Sequence, residues 1–287
     1  MMNDQAQRLR ELVHTIKLKK EQRRAKIVTI TSGKGGVGKT SLTVNLALAL
    51  AKCDKKVAII DADFGFSNVN ILLGTNAKYD IGYVVRGEKK LEEVIEVSYD
   101  GVQFISGGAG VAELMNIEES RLDDVLSQME ILEQNVDYIL FDTGAGMDKN
   151  ILRLMDASDE TILILTPEPT SITDAFVVLK TAAKLSERPS VRVIINKVHS
   201  EKEALITDDN FKRVVDKFLN YTIKLMGYVL FDDMMTRSIS ELVPHIVKYP
   251  NSAAARQIQQ IAFQYINDDD FRFHPRGIQG FLKRFKK

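Results

Sequence analysis

An eight-residue loop, Gly33 to Thr40, has the residue types and the spacing needed to bind phosphate groups. Its sequence, Gly-Lys-Gly-Gly-Val-Gly-Lys-Thr, fits the pattern G-x-x-x-x-G-K-[S/T], with a predicted apolar strand before it and an apolar helix after it. Glycines allow backbone N–H groups to turn toward phosphate oxygens, and a helix that begins near Lys39 points the positive end of its dipole at them. Lys39 adds a positive charge, and Thr40 adds a hydroxyl ligand for Mg²⁺.

The loop therefore predicts a site for a nucleotide and Mg²⁺. A glycine turn with a purely structural role is the alternative, but such a turn has no reason to end in Lys-Thr after a strand. A lysine such as Lys34 in a glycine-rich loop can also be simply solvated. We predict that the nucleotide contacts the whole loop and the residue after it, namely Gly33, Lys34, Gly35, Gly36, Val37, Gly38, Lys39, Thr40 and Ser41.

Further apolar segments end in polar side chains that belong to the same predicted site. Asp61 ends one such segment, with Asp63 two residues later, and Asp142 ends another, just before a glycine-rich loop. Strands that end in this way bring their last side chains to the carboxyl edge of a parallel sheet, beside the phosphates. The first two aspartates could instead cap a helix or a turn. Asn196 ends a third segment and could equally belong to an ordinary turn.

The elements that must position these residues alternate along the chain between strand and helix. The chain has 287 residues, of which 45% are hydrophobic and 27% charged, so it can bury the core of one large α/β domain. The alternation predicts a mostly parallel twisted sheet with helices on both faces. The predicted strands are 26–31, 56–61, 102–106, 137–142, 160–166, 190–197 and 222–231, and the predicted helices are 42–51, 119–134, 170–185 and 207–220.

Composition excludes several classes of function. Thirty-nine basic and 39 acidic residues give no net charge, so nucleic acid is not an expected partner. Cys53 is the sequence's one cysteine, which excludes disulfides within the chain and sites that need paired cysteines, such as iron-sulfur cluster sites. No stretch approaches the roughly 20 apolar residues of a membrane span, and the polar start lacks a signal peptide's apolar core. We therefore expect a cytoplasmic protein.

The loop with its second lysine resembles the deviant Walker A motif of the ParA and MinD superfamily. The resemblance covers about residues 25–267 and implies an ATPase, with ATP or ADP and Mg²⁺ as cofactors. It implies that Lys34 reaches across a nucleotide sandwich dimer to the partner's phosphates, much as an arginine finger does. The implied catalytic residues are thus Lys34, Lys39 and Asp63.

The same resemblance assigns the remaining site residues. Asp63 would position or activate the attacking water, in a segment that resembles switch I, and Asp61 would hold the metal through water. The segment ending in Asp142 looks like Walker B followed by switch II, so the metal site comprises Thr40, Asp61 and Asp142. Asn196 matches a position that contacts adenine, and Pro244 would line the other side of the base. One departure is Asn70, where many relatives have aspartate.

The first 24 residues are basic and carry a second motif. The apolar residues Leu9, Leu12, Val13 and Ile16 recur at helical spacing, which predicts a short amphipathic helix that folds on a partner or docks on its own domain. The motif itself is Asp-Gln-Ala-x-x-Leu-Arg, formed by Asp4, Gln5, Ala6, Leu9 and Arg10. It resembles the activator segment of FlhG-type proteins (also called FleN or YlxH), flagellar number regulators of the MinD family. In that family the segment stimulates GTP hydrolysis by FlhF, a GTPase related to the signal recognition particle GTPases.

The last residues, 276–287, form a basic amphipathic pattern that follows a polar linker. We predict that they bind anionic lipid, with an apolar stripe of Ile278, Phe281, Leu282 and Phe285 and basic residues that include Lys283 and Arg284. The segment resembles the membrane-targeting sequence of MinD. The alternative is a tail folded over an apolar groove of its own domain, and both states could exist.

The sequence thus predicts an activator segment (1–24), a MinD-like ATPase domain (25–267) and a linker with a membrane-targeting helix (268–287). We expect an ATP-dependent homodimer, reversibly peripheral on the inner face of the cell membrane, that regulates flagellar number or placement. The expected partners are FlhF, anionic lipids and flagellar C-ring components. A MinD-type division-site ATPase is the first alternative. A DNA-partitioning ATPase of ParA type is the second, which the neutral charge and the tail argue against.

Overall fold

The computed structural model describes residues 24–63, 69–185, 189–268 and 276–286. Within them the strands are β1 (Lys26–Ser32), β2 (Val57–Ala62), β3 (Glu96–Val97), β4 (Gln103–Ile105), β5 (Tyr138–Ala145), β6 (Glu160–Leu165), β7 (Val191–Val198) and β8 (Ile223–Leu230). They form one sheet in the spatial order β3-β4-β2-β5-β1-β6-β7-β8. Neighbouring strands are parallel except β3 and β4, which are antiparallel. The carboxyl ends of the central strands therefore meet at one edge.

The helices connect the strands and cover both faces of the sheet. In the described residues they are α1 (Lys39–Lys52), α2 (Val69–Leu73), α3 (Ile81–Val85), α4 (Leu91–Val94), α5 (Gly110–Met115), α6 (Glu119–Asn135), α7 (Lys149–Ala157), α8 (Pro169–Ala182), α9 (Glu201–Leu219), α10 (Asp233–Ser240), α11 (His245–Lys248), α12 (Ala253–Asn267) and α13 (Gly277–Phe285). Every residue of β2 and β6 is buried, which explains why most of each strand is an apolar run in the sequence.

Alternate strand residues build two cores, because successive side chains point to opposite faces of a sheet. On β1, Val28 and Ile30 pack with residues of α1 and α12, whereas Ile27 packs with residues of α6 and α13. Further along this second face, α7, α8 and α9 cover β6 and β7. The predicted fold class, a mostly parallel sheet with helices on both faces, is confirmed.

The C-terminal helix α13 is part of this second core. Its residues Ile278, Phe281, Leu282 and Phe285 are each at most 1% exposed. The ring of Phe281 stacks on Phe141 of β5 with 5.0 Å between centroids, and Phe285 stacks on Phe281 at 5.2 Å. The helix lies against α6, α7 and β1. In this structure the apolar stripe therefore faces the protein's own interior.

Element bounds agree with the sequence prediction where the apolar pattern is long. Helix α9 begins at Glu201, six residues before the predicted start at 207, because Ser200 caps it and its first turn carries acidic residues. The sequence does not predict α2, α3, α4 and α5, which have only four to six residues and too little periodicity to detect. Strand β3 and helices α7, α10, α11 and α12 are also absent from the prediction. The division into three segments stays a prediction.

Candidate functional site

The phosphate loop adopts a conformation that its glycines permit. Gly36 and Gly38 have φ angles of +78° and +90°, in the left-handed region that favours glycine. A Cβ on Gly33 would lie 2.3 Å from the backbone carbon of Asp174 in α8, so the close approach of loop and helix requires glycine there. Helix α1 begins directly after Gly38, and its first backbone N–H groups lie at the end of the loop. The loop therefore forms a ready site for an anion.

Lys39 lies at the base of this loop and is paired with a buried carboxylate. Its Nζ is 3.0 Å from Asp142 Oδ1 and 3.2 Å from Thr40 Oγ1. Thr43 Oγ1 donates to the same Asp142 oxygen at 2.6 Å. Lys39 is 8% exposed and Asp142 is 1% exposed, so both charges are removed from water and compensate one another. Strand β5 and helix α1 thus hold the predicted lysine and the predicted metal ligand in contact.

The three predicted metal ligands lie at the same edge of the sheet. Asp61 on β2 is in register with Asp142 on β5. The Nζ of Lys39 contacts both Thr40 Oγ1 and Asp142 Oδ1, which brings Thr40 close to Asp142. Their oxygen atoms are the hard ligands that Mg²⁺ prefers. Among the described residues no three His, Cys, Asp or Glu side chains converge as a metal cluster. A Mg²⁺ site with one or two protein ligands and the rest from phosphates and water fits this arrangement.

The two aspartates predicted to belong to switch I, Asp61 and Asp63, have different surroundings. Asp61 is fully buried, and its two carboxylate oxygens accept hydrogen bonds from the backbone N–H groups of Asp63 at 3.0 Å and of Val69 at 3.3 Å. It thereby ties together the two described ends of the segment that contains residues 64–68. Asp63 is half-buried, lines the cavity beside the loop, and lies next to Gly144 of β5, where a Cβ would be 3.5 Å from its Oδ1. Of the two, Asp63 has the carboxylate that faces the cavity.

A cavity of about 540 Å³ opens beside the phosphate loop. One side is the loop itself, and the other is formed by residues at the end of β8 and on α10, which the sequence prediction missed. Pro244 is not among the residues that line this cavity; it precedes α11, where its carbonyl accepts from Val247 and Lys248. The lining residues on that second side are Leu230, Phe231, Asp232, Met235, Thr236 and Ile239. Their sequence signal is a strand that is followed by Phe231-Asp232 at the same edge of the sheet as the other site residues.

The predicted base-contacting residue Asn196 holds the phosphate loop in place. Its Nδ2 donates to the carbonyl of Val37 at 2.7 Å, and the neighbouring Lys197 Nζ donates to the carbonyl of Gly36 at 2.7 Å. A Cβ on Gly38 would lie 2.5 Å from Asn196 Nδ2, so this glycine lets the amide approach. Asn196 also lines the cavity. Its contact with a base stays a prediction.

Lys34 is bound by residues at the start of α8. Its Nζ is 2.6 Å from Glu168 Oε2 and 2.9 Å from Thr170 Oγ1. The hydrogen bond and the charge of Lys34 lower the pKa of Glu168. The lysine is therefore not simply solvated in this structure, and its predicted reach to a second subunit stays a prediction.

The residues predicted to bind membrane are distributed between the core and the surface. The four apolar ones are buried in the second core, whereas Lys283 is exposed and Arg284 is half-buried, with its Nε 4.0 Å from Asp156 Oδ2. None of the helices in the described ranges is both long and apolar enough to span a bilayer. The predicted activator residues Asp4, Gln5, Ala6, Leu9 and Arg10 lie outside the described residues.

Two carboxylates receive the start of α13. Glu133 Oε1 accepts from the backbone N–H of Ile278 at 3.0 Å, and Asp159 Oδ1 accepts from the N–H of Arg276 at 3.1 Å. The other oxygen of Asp159 accepts from the N–H of Ile27 on β1 at 2.9 Å. Burial raises the pKa of both Glu133 and Asp159. These bonds satisfy N–H groups that a helix start otherwise leaves without partners.

Comparison with known proteins agrees with this site. The family model described as ParA: NUBPL iron-transfer P-loop NTPase matches residues 23–266. The chain is 29% identical over 259 residues to the antiactivator FleN of Pseudomonas aeruginosa, covering 90% of this chain and 92% of FleN. It is 30% identical over 293 residues to the flagellum site-determining protein YlxH of Helicobacter pylori, covering 100% and 99%. MinD of Pyrococcus horikoshii, solved with Mg-ADP, is 25% identical with a TM-score of 0.66, covering 85% and 96%.

The matched residues contain the whole cavity and every described part of the phosphate loop. The similarity to a Mg-ADP complex supports a nucleotide and Mg²⁺ as the cofactors. Iron transfer belongs to the description of the family model, and this sequence has one cysteine, Cys53, rather than the paired cysteines of iron-sulfur relatives. The predicted resemblance is confirmed. The chain therefore belongs to the ParA and MinD family of P-loop NTPases, is an ATP hydrolase of that family, and is similar to FleN and YlxH.

Proposed function

We propose that this ATPase is a membrane-binding switch that dimerises on ATP and regulates the number or placement of flagella. The observation that carries the proposal is the position of α13, whose Phe281 stacks on Phe141, the residue before Asp142 on β5. Asp142 in turn pairs with Lys39 of the phosphate loop. Strand β5 thus contacts both the predicted nucleotide site and the predicted membrane helix. A shift of this strand when nucleotide binds can therefore alter the packing of α13.

The residues of the cavity have distinct roles in ATP hydrolysis under this proposal. The loop's backbone N–H groups and Lys39 bind the phosphates and stabilise the charge that develops during transfer. Thr40 and Asp142 would hold Mg²⁺, directly or through water, and Asp61 would hold it through water. The ion would supply neutralisation of the phosphate charge. Asp63, which faces the cavity, orients the attacking water and accepts its proton.

Dimerisation completes the site. Lys34 from each subunit reaches the phosphates of the other, so the complete charge distribution exists only in the ATP-bound dimer. The loop residues Gly35 and Gly36 next to it are exposed, as a surface for a second subunit must be in the monomer. ATP is then both the substrate and the ligand that holds two copies together.

Membrane binding exchanges one apolar environment for another. Each large apolar side chain of α13 gains about 1.5–3 kcal/mol on burial, whether the surroundings are protein or lipid. The two states are thus close in free energy, and smaller effects decide between them. Lys283 and Arg284 near anionic lipid contribute roughly 1 kcal/mol each. Two copies in a dimer bind cooperatively through effective concentration, which a monomer cannot do.

A flotation assay with vesicles tests the membrane part of this proposal. We expect the protein to bind vesicles that contain anionic lipid with ATP, and to bind weakly with ADP or to neutral vesicles. Lys283→Glu reverses an exposed charge on α13 and should weaken binding by about tenfold or more. Lys202→Glu, an exposed lysine at the start of α9, is the matched control and should bind like the wild type. Equal binding with ATP and ADP would contradict the proposal.

The flagellar part rests on the similarity to FleN and YlxH and on the segment of residues 1–24. In this proposal the segment stimulates GTP hydrolysis by FlhF, with Gln5 orienting the attacking water as glutamines do in other GTPases, and C-ring components are further partners. The test is FlhF GTP turnover with and without a peptide of residues 1–24, with Gln5→Ala as the control. Stimulation that the substitution abolishes supports the flagellar function. A peptide without effect leaves a MinD-type division-site ATPase as the better account.

A further inference from the structure

We propose that Glu168 and Thr170 are positioning residues for Lys34, which hold its ammonium group on its own subunit until a dimer forms. The proposal deepens the function given above and rests on it, because it concerns the lysine that reaches a second subunit. It is carried by two contacts within one chain: Lys34 Nζ lies 2.6 Å from Glu168 Oε2 and 2.9 Å from Thr170 Oγ1.

The backbone on the lysine's side of this contact is fixed. Ser32 Oγ donates to the carbonyl of Lys34 at 3.1 Å. Gly33, the residue between them, lies so close to α8 that a Cβ would be 2.3 Å from the backbone carbon of Asp174. Because loop and helix touch at Gly33, the side chain of Lys34 leaves the loop beside the first turn of α8, where its two acceptors lie.

The backbone on the acceptor side is restricted as well. Glu168 directly precedes Pro169, the first residue of α8, and has the extended ψ of 130° that a following proline favours. Thr170 is the second residue of the same helix. The carboxylate and the hydroxyl are therefore presented by a rigid helix start rather than by a loop. Lys197 also contributes to the lowered pKa of Glu168, so a second positive charge faces this carboxylate.

The contacts with Glu168 and Thr170 compete with phosphate for the same ammonium group. Lys34 has three N–H donors, and two of them are directed at Glu168 and Thr170. To bind phosphates across a dimer, each subunit must first release this lysine. A triphosphate carries a larger negative charge than the exposed carboxylate of Glu168, so it competes well for the ammonium group of Lys34. A dimer interface that contains no nucleotide offers no such competitor. The contact therefore opposes dimerisation that is not driven by nucleotide.

The exposure of the pair sets the size of the effect. The side chain of Lys34 is 37% exposed and that of Glu168 is 61% exposed, and exposed ion pairs are weak. We expect each contact to change the dimerisation equilibrium by about two- to fivefold. Both subunits must release a lysine, so the expected effect on the dimer is about four- to twenty-five-fold. The contact acts as a weak brake that ATP overcomes.

The experiment compares Glu168→Gln, which removes the charge and keeps the shape, with Glu88→Gln as a matched control. Glu88 is an exposed glutamate that accepts from Arg86 at 2.7 Å and does not line the nucleotide cavity. Two readouts are measured on the full chain. The first is acylation of the Lys34 amine without nucleotide, quantified by mass spectrometry. The second is dimerisation with a non-hydrolysable ATP analogue, measured by analytical ultracentrifugation in low and high salt.

We expect Glu168→Gln to raise Lys34 acylation several-fold and to tighten the dimer by about four- to twenty-five-fold in low salt, with the difference shrinking in high salt. Thr170→Val should act in the same direction more weakly. Glu88→Gln should change neither readout. A wild-type protein that dimerises while Glu168→Gln is unchanged or weaker overturns the positioning role. A wild-type protein that does not dimerise with the analogue overturns the proposed dimer and, with it, the brake, whatever the acylation shows.

Discussion

The phosphate loop and the C-terminal helix α13 are stabilised by different kinds of contact. In the loop, Lys39 and Asp142 are a buried ion pair, and glycines allow a backbone conformation that other residues rarely adopt. Helix α13 instead buries four apolar side chains, and its hydrogen bonds with Glu133 and Asp159 are at its start. Directional polar contacts suit one kind of ligand, whereas an apolar face is complementary to any apolar surroundings. The loop is thus specific for its ligand, whereas α13 can exchange one apolar environment for another.

The strongest test of the specific region is Asp63→Ala. Removal of the group that orients and deprotonates water should lower ATP turnover by about a thousandfold and leave ATP affinity within a few-fold. Phosphate release and nucleotide titration measure the two effects. Asp209→Ala removes an exposed aspartate on α9 and should change neither. If Asp63→Ala kept more than a tenth of the wild-type turnover, catalysis would have to be assigned to another group.

The packing of helix α13 is tested by Phe281→Ala. Its buried ring stacks on Phe141 and Phe285, so truncation should lower the free energy of unfolding by about 3–5 kcal/mol. If α13 leaves its groove in the variant, no cavity forms. The loss in the free energy of unfolding is then no larger than the free energy of undocking. Phe263→Ala on α12, where the side chain is 62% exposed, should cost under about 0.5 kcal/mol. Urea unfolding measures both, and equal effects would show that α13 is not part of the core.

A subtler change weakens docking without altering the helix itself. Glu133→Ala removes the acceptor of the Ile278 N–H, which should weaken docking by about 1 kcal/mol and raise nucleotide-independent vesicle binding by about fivefold. Glu130→Ala removes the exposed partner of Gln279 and should have a smaller effect. Flotation without nucleotide makes the measurement. Reduced binding in Glu133→Ala would contradict the exchange between groove and membrane.

The smallest expected effect is a dependence of stability on pH. Burial raises the pKa values of Glu133 and Asp159 above their ordinary values of 4.5 and 3.8, so the folded state binds protons more readily than the unfolded chain. Their contribution to the free energy of unfolding is therefore fully present below these ordinary values and is lost as pH rises through the raised pKa values. Urea unfolding of the wild type and of Glu133→Gln across this window should show a weaker dependence on pH in the variant. An unchanged dependence would contradict the contribution of Glu133.

Much of the nucleotide site could be predicted from the sequence because its signals are local. The loop pattern and the apolar segments ending in Asp61, Asp142 and Asn196 place these residues at one sheet edge by the geometry of parallel strands alone. The far side of the cavity, with Phe231 and Met235, was missed because its residues come from a strand end and a short helix without a recognised motif. The contact between Lys34 and Glu168 joins residues 134 positions apart, which no local pattern specifies.

The amino-acid sequence by itself determined the fold class, the phosphate loop and the family, since periodicity and short motifs depend on neighbours along the chain. It also determined that residues 276–287 are amphipathic. Only the tertiary structure decided that the apolar stripe of α13 packs on Phe141 of β5, and that Lys34 is bound at the start of α8. The physical reason is the same in both cases. An apolar stripe or a charged side chain specifies the kind of partner it needs, whereas the packing of distant elements selects which partner it finds.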